Sequence, residues 1–136
     1  MKIKWLFISL LLLLLGGCSN NIIENDTTIT RIEMMKFAGV SPSPDEYRKQ
    51  DGEIISVIKS DEKIQRIVKS IKKAKQESTE NRDIALPNYL IIFKEGKNVV
   101  LTLGYYPNIN NSKDKFLDIS EDKMYTTKAL NLIRQE

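Results

Sequence analysis

The 136-residue chain contains no histidine and one cysteine. Without histidine it lacks the side chain that ordinarily changes charge near neutral pH, which is also the usual general base and the commonest metal ligand. A single cysteine, Cys18, allows neither an intramolecular disulfide nor a Cys/His zinc site. The folded part must therefore stand on apolar packing alone. Long hydrophobic runs are missing as well. The longest, Trp5 to Leu15, has eleven residues and is broken by Ser9. As a helix it would span about 16 Å, roughly half the hydrocarbon thickness of a bilayer, so an uncleaved membrane span is the weaker reading. Signature motifs for phosphate loops, serine hydrolases and zinc hydrolases are absent too.

What is there begins with the leader. Lys2 and Lys4 precede the apolar run, and the small residues Gly16 and Gly17 follow it. That order is the order of a secretory signal. Leu15-Gly16-Gly17-Cys18 resembles the bacterial lipobox. The resemblance implies cleavage before Cys18, a diacylglycerol on its sulfur, and Cys18 as the mature N-terminus. Two acyl chains hold a protein stably on a membrane where one holds it only marginally. The expected organisation is a signal peptide over 1–17, a lipidated cysteine and polar tether over 18–28, and one domain over 29–136. Without Lys2 and Lys4 the chain carries 19 basic against 18 acidic residues. That near-neutral balance makes no case for nucleic acid.

Within the domain, Thr30 to Phe37 and Glu53 to Lys59 read as strands. Ala38 to Gly52 reads as loop, because Ser41-Pro42-Ser43-Pro44 opposes regular helix. Ser60 to about Lys75 is an amphipathic helix. Ile64, Ile67, Val68, Ile71 and Ala74 share one face, and Arg66, Lys69, Lys72 and Lys73 lie opposite. Glu77 to Asp83 reads as a polar linker. Tyr89 to Phe93 and Val99 to Leu103 form a hairpin about Glu95-Gly96-Lys97-Asn98, apolar enough to lie at the centre of a sheet. Gly104 to Lys115 reads as a loop and Phe116 to Ile119 as a short strand. Ser120-Glu121-Asp122-Lys123 repeats the capping chemistry of Ser60-Asp61-Glu62-Lys63 and predicts a terminal helix bearing Tyr125, Ala129, Leu132 and Ile133 on one face. The expected fold is α+β, a small antiparallel sheet of four to five strands with two helices packed on one face.

Thr30-Arg31-Ile32-Glu33 on a first strand, the helix near residue 64, Pro87-Asn88-Tyr89 opening a hairpin and the Ser120-led segment together resemble the small YhfM-like lipoproteins of Gram-positive bacteria, over about residues 29–135. The resemblance implies a lipoprotein with an α+β domain. It brings no catalytic residue and no cofactor.

Three groups of residues are candidates for function. Arg66, Lys69, Lys72 and Lys73 suit contact with anionic headgroups or an anionic wall polymer, against the plainer alternative of a solvated helix face. The segment holding Tyr105, Tyr106, Asn108 and Asn110 offers flat rings and amides for a partner, or simply caps the edge of the core. Asp114, Asp118, Glu121 and Asp122 lack the spacing of a calcium loop. No metal site is expected. The combination predicts a membrane-held, non-enzymatic binding or adaptor module in the cell envelope. The alternatives are an inhibitor or immunity-type protein acting on an envelope enzyme, and a carboxylate-based hydrolase.

Overall fold

The strands begun by Ile32 and Met34, the helix bearing Ile64, Ile67, Val68 and Ile71, and the hairpin about Gly96 form as expected. The computed structural model describes residues 22–39, 41–108 and 113–133. Its strands are β1 (Arg31–Lys36), β2 (Glu53–Ile58), β3 (Lys75–Ser78), β4 (Tyr89–Glu95), β5 (Asn98–Tyr106), β6 (Lys113–Asp118) and β7 (Lys123–Lys128), and its helices are α1 (Pro44–Lys49) and α2 (Asp61–Lys72). The strands make one sheet in the order β2-β1-β4-β5-β6-β7-β3, with every neighbouring pair antiparallel. The β4–β5 hairpin lies at the middle, as its doubly apolar strands require.

Successive side chains on a strand point to opposite faces, so this sheet has two sides to cover. Ile32 and Met34 of β1, Ile91 and Phe93 of β4, Leu103 and Tyr105 of β5, Phe116 of β6 and Tyr125 of β7 form the main core, and Ile64, Ile67, Val68 and Ile71 of α2 pack onto it. Met35, Leu90 and Ile92 point the other way and pack with Phe37 and with Tyr47 of α1. The Phe37 and Tyr47 rings stack at 5.7 Å.

The expected sheet of four to five strands with two helices on one face is therefore corrected. Among the described residues the sheet has seven strands, and the two helices cover opposite faces. Each difference has a local cause. Ser43-Pro44 opens a helix: Pro44 takes a first-turn position whose N–H has no partner to lose. Ser43 Oγ accepts from the Glu46 N–H at 3.2 Å while Glu46 Oε2 accepts from the Ser43 N–H at 2.7 Å. The Ser43 N–H, with the Ser43 hydroxyl beside it, holds the exposed Glu46 carboxyl below its usual range.

The helix α2 stops at Lys72 rather than about Lys75, and the residues from Lys75 into the expected polar linker form β3. Its four exposed residues, Lys75 to Ser78, pair with Lys123 to Thr126. The expected terminal helix is also absent. Ser120 to Asp122 make the β6–β7 turn, in which Asp118 Oδ1 accepts from the Ser120 hydroxyl at 2.7 Å and Asp122 adopts a positive φ of 49°. The strand formers Tyr125, Thr126 and Thr127 then continue as β7. The expected loop from Gly104 to Lys115 is shorter, because β5 runs on to Tyr106 and β6 starts at Lys113. Finally, Ile23 and Ile29 are buried in the main core. Residues from Ile22 onward thus belong to the domain rather than to a tether reaching residue 28.

Gly104 shows how tightly the smaller core closes. A Cβ added there would lie 2.6 Å from both Pro87 Cγ and the Tyr47 hydroxyl oxygen. The proline ring has little freedom to retreat, so Gly104→Ala should destabilise the domain by about 1–3 kcal/mol. A lower urea midpoint with an unchanged slope would register it.

Candidate functional site

The basic helix face divides between two surroundings. Lys72 donates from Nζ to Asn25 Oδ1 at 3.2 Å, so this flank of α2 meets the segment by which the chain enters the fold. That segment continues to the β4–β5 turn, where the Thr28 N–H donates to Glu95 Oε2 at 2.9 Å and the Gly96 N–H to Thr30 Oγ1 at 2.9 Å. At about 100° per residue, Lys69 lies about 60° from Lys72 on one side and from Arg66 on the other, and Lys73, just past the last helical residue, continues on the outward side between Lys69 and Arg66. On the far flank Arg66 and Lys63 border a groove.

That groove, about 620 Å³, runs between β2, α2 and the segment 130–133. Met34, Ile58 and Ile67 contribute apolar surface, Lys59, Lys63 and Arg66 contribute charge, and Leu130, Leu132 and Ile133 close one side. β2 is an end strand of the sheet. Ile54, Ile55 and Val57 along it are 41–43 % exposed, high values for three branched aliphatics in one strand. The sequence shows β2 as a strand and α2 as a basic helix. It does not show that residues roughly sixty to eighty positions further on complete a groove between them.

The aromatic segment does not assemble as one surface. Tyr105 is buried at 1 % exposure, its ring stacks on Phe116 at 5.2 Å, and its hydroxyl donates to Asp114 Oδ2 at 3.0 Å. It is a core residue. Tyr106 is half-buried, donates its hydroxyl to the Ala85 carbonyl at 2.6 Å, and is pushed up to about 12 by burial. It borders a shallow depression with Arg82, Lys115 and Met124. Asn108 donates to the Lys113 carbonyl. Asn110 lies outside the described residues, as does Cys18.

The acidic candidates separate in the same way. Asp114 and Asp118 are buried, and each has structural partners. Asp114 Oδ2 accepts from Tyr105 and from the Leu130 N–H at 2.9 Å. Asp118 Oδ1 accepts from Ser120 and from the Glu121 N–H at 3.3 Å. Glu121 and Asp122 are exposed in the turn. Among the described residues no three His, Cys, Asp or Glu side chains gather as a metal site, and no helix is long and apolar enough to cross a membrane.

One buried carboxylate was not singled out from the sequence. Glu33 of β1 pairs with Arg31 Nε at 2.8 Å and Lys94 Nζ at 3.1 Å, with its side chain 9 % exposed. A charge so placed needs both partners, and the arrangement fixes β1 to β4. Its only sequence signal is the Arg31-x-Glu33 spacing, which puts two opposite charges on one strand face.

Compared with known proteins, the chain matches no family model, no curated protein and no solved structure. Its chemistry has to be read from its own residues.

Proposed function

We propose that this chain is a lipid-anchored bacterial envelope protein whose domain serves as a binding module at the membrane surface rather than as a catalyst. The observation that carries the proposal is the burial of Ile23 beside a basic helix flank. If Cys18 bears the lipid, only five residue steps separate it from Ile23, at most about 18 Å of fully extended chain. A connection that short keeps the domain against the bilayer. It also keeps the Lys72 flank of α2 near the headgroups, with Lys69 and then Lys73 next to it on the outward side, since the entering segment bonds to Lys72. Basic residues at an anionic surface contribute about 1 kcal/mol each and fade within a Debye length. Three lysines therefore orient an already anchored domain without having to recruit it. The leader with its lipobox and the resemblance to small YhfM-like lipoproteins point the same way. The engagement of Asp114 and Asp118 in structural hydrogen bonds also favours binding over carboxylate chemistry.

Two measurements on the full chain test this. Cys18→Ala should abolish incorporation of labelled fatty acid and release the protein from the membrane fraction; labelling that persists defeats the anchor. Replacing Lys69, Lys72 and Lys73 by Glu in the anchored protein should leave labelling intact but weaken protection of α2 from proteolysis on vesicles containing anionic lipid. Equal protection of both forms removes the membrane role of this flank.

A further inference from the structure

We infer that the sheet face opposite α2 binds a linear phosphate-bearing polymer, with Lys113 and Lys115 of β6 and Lys128 of β7 as its cations. The location of the site stands on strand register alone. The choice of a polymer over lipid headgroups rests on the anchoring proposal.

Register brings these residues together. Side chains alternate between the two faces along a strand, and Phe116 and Tyr125 belong to the main core under α2. Lys113 and Lys115 stand an odd number of positions from Phe116, and Lys128 an odd number from Tyr125, so all three point away from α2. All three are exposed. Lys113 lies directly opposite Lys128, and Lys115 opposite Thr126, whose other neighbour is Lys75 of β3. Arg82 and Tyr106 border the shallow depression beside Lys115. Two acids accompany these cations: Glu77, which Lys75 and Arg82 approach at 3.7 and 3.8 Å, and Asp83 at the border of the depression. Lys113, Lys115 and Lys128 themselves belong to no ion pair among the described residues. Residues 109–112, which precede Lys113 in the sequence, carry no charge.

Plainer accounts do not explain the arrangement. α1 packs on this face only toward β1 and β4, so the β6–β7 end meets water and needs polar side chains. Solvation asks for polarity, however, and not for a single sign. Lysine on an edge strand guards against stray pairing, yet β6 lies between β5 and β7. Like charges directly opposite one another on neighbouring strands are destabilising. An anion lying across Lys113 and Lys128 turns that repulsion into attraction.

The form of the face selects the ligand. Lysine meets phosphate as a compact point charge with three donors. Opposed residues lie about 5 Å apart across the strands, and alternate residues about 7 Å apart along β6. Three ammonium groups so spaced reach several charges of one chain at once. The face is open rather than enclosing, which suits an extended polymer better than a single small anion. Ile23 and Ile29 of the entering segment are buried on the α2 side. An anchor at Cys18 therefore holds that side to the bilayer and turns the three lysines outward, away from the headgroups.

The test is the fluorescence anisotropy of end-labelled linear polyphosphate titrated with the full chain in neutral detergent. Replacing Lys113 and Lys128 by Gln should weaken binding about twenty-fold, at about fivefold for each lysine. Replacing Lys69, Lys72 and Lys73 of the α2 side by Gln should weaken it far less, although it removes more charge. Lys128→Glu sets opposite charges across the strand pair, so binding should fall while the urea midpoint holds or rises. Equal loss in the α2 variant shows attraction to net charge alone and overturns the site. A midpoint that drops with Lys128→Glu removes the opposed pair on which the site rests. If the change at Lys113 and Lys128 spares polyphosphate but weakens retention on phosphatidylglycerol vesicles, the face meets headgroups and the polymer is overturned. Fatty-acid labelling of Cys18 is scored separately, so failure of the anchor and failure of this site are told apart.

Discussion

Between pH 10 and pH 12 the domain should lose about 5 kcal/mol of stability and unfold, while between pH 6 and pH 9 its urea midpoint should scarcely move. The cause is tyrosine. Burial raises the Tyr47 hydroxyl above its usual range, with smaller contributions in the same sense from Tyr106 and Asp118. Burial raises Tyr105 as well, helped by the carboxylate of Asp114, which accepts its hydrogen bond.

An unfolded tyrosine ionises near pH 10. Below that pH both states hold the phenolic proton, so the stability is fully present. Above it the unfolded state releases protons that the folded state retains, and stability falls by about 1.4 kcal/mol per pH unit for each such tyrosine. Two tyrosines over two units give about 5 kcal/mol, comparable with the whole stability of many domains of this size. Tyr106 and Tyr125, both also raised by burial, act in the same direction. The plateau at lower pH follows from the absence of histidine.

Urea midpoints followed by circular dichroism across this range check both halves of the expectation. Tyr105→Phe should remove about 1.4 kcal/mol per unit from the alkaline slope. A midpoint that stays level through pH 11 would show that these hydroxyls reach solvent in the folded state.

Periodicity made part of this fold legible and composition hid the rest. Ile64, Ile67, Val68 and Ile71 announce α2, and the apolar strands around Gly96 announce the central hairpin, because burial imposes a repeat on the residues that undergo it. β3 undergoes none: all four of its residues are exposed, so its pairing with β7 leaves no hydrophobic pattern to read. α1 was concealed by Pro44, a residue that opposes a helix interior yet suits a first turn. β7 was concealed by Ser120-Glu121-Asp122, whose side chains serve a tight turn as well as a helix cap. The candidate site divides along the same line. The basic face of α2 is legible because it is local. The groove is not, since β2 and the segment 130–133 lie far apart in the sequence and are brought together by the sheet, by a hydrogen bond to Asp114 and by packing on the main core.

That hydrogen bond gives the second large effect, the expected outcome of replacing Asp114 by alanine. One carboxylate oxygen accepts from both the Tyr105 hydroxyl and the Leu130 N–H, tying the end of β6 to the core and to the segment that leaves β7. Asp114→Ala deprives two donors of their acceptor in a site where the carboxylate is 2 % exposed. Each unsatisfied buried group costs about 1–3 kcal/mol, so the variant should lose about 2–5 kcal/mol, with the lower part of the range expected where water can reach Leu130. Asp114→Asn retains an oxygen that can accept from one donor or both and should lose less.

The local consequence separates this tie from an ordinary core defect. Leu130, Leu132 and Ile133 pack against the main core and close one side of the groove. Without the tie, the Leu130 amide should exchange with deuterium faster than the amides of β4 and β5. A mutation that merely thinned the core, such as Leu103→Ala, should accelerate exchange through global unfolding and change all of them together. Because Tyr105 and Leu130 share the acceptor, Tyr105→Phe and Asp114→Ala should not add: once the carboxylate is gone, removing the hydroxyl should relieve a cost rather than impose one. Additive losses in that cycle, with slow exchange preserved at Leu130, would mean that the segment 130–133 is held by its apolar contacts alone.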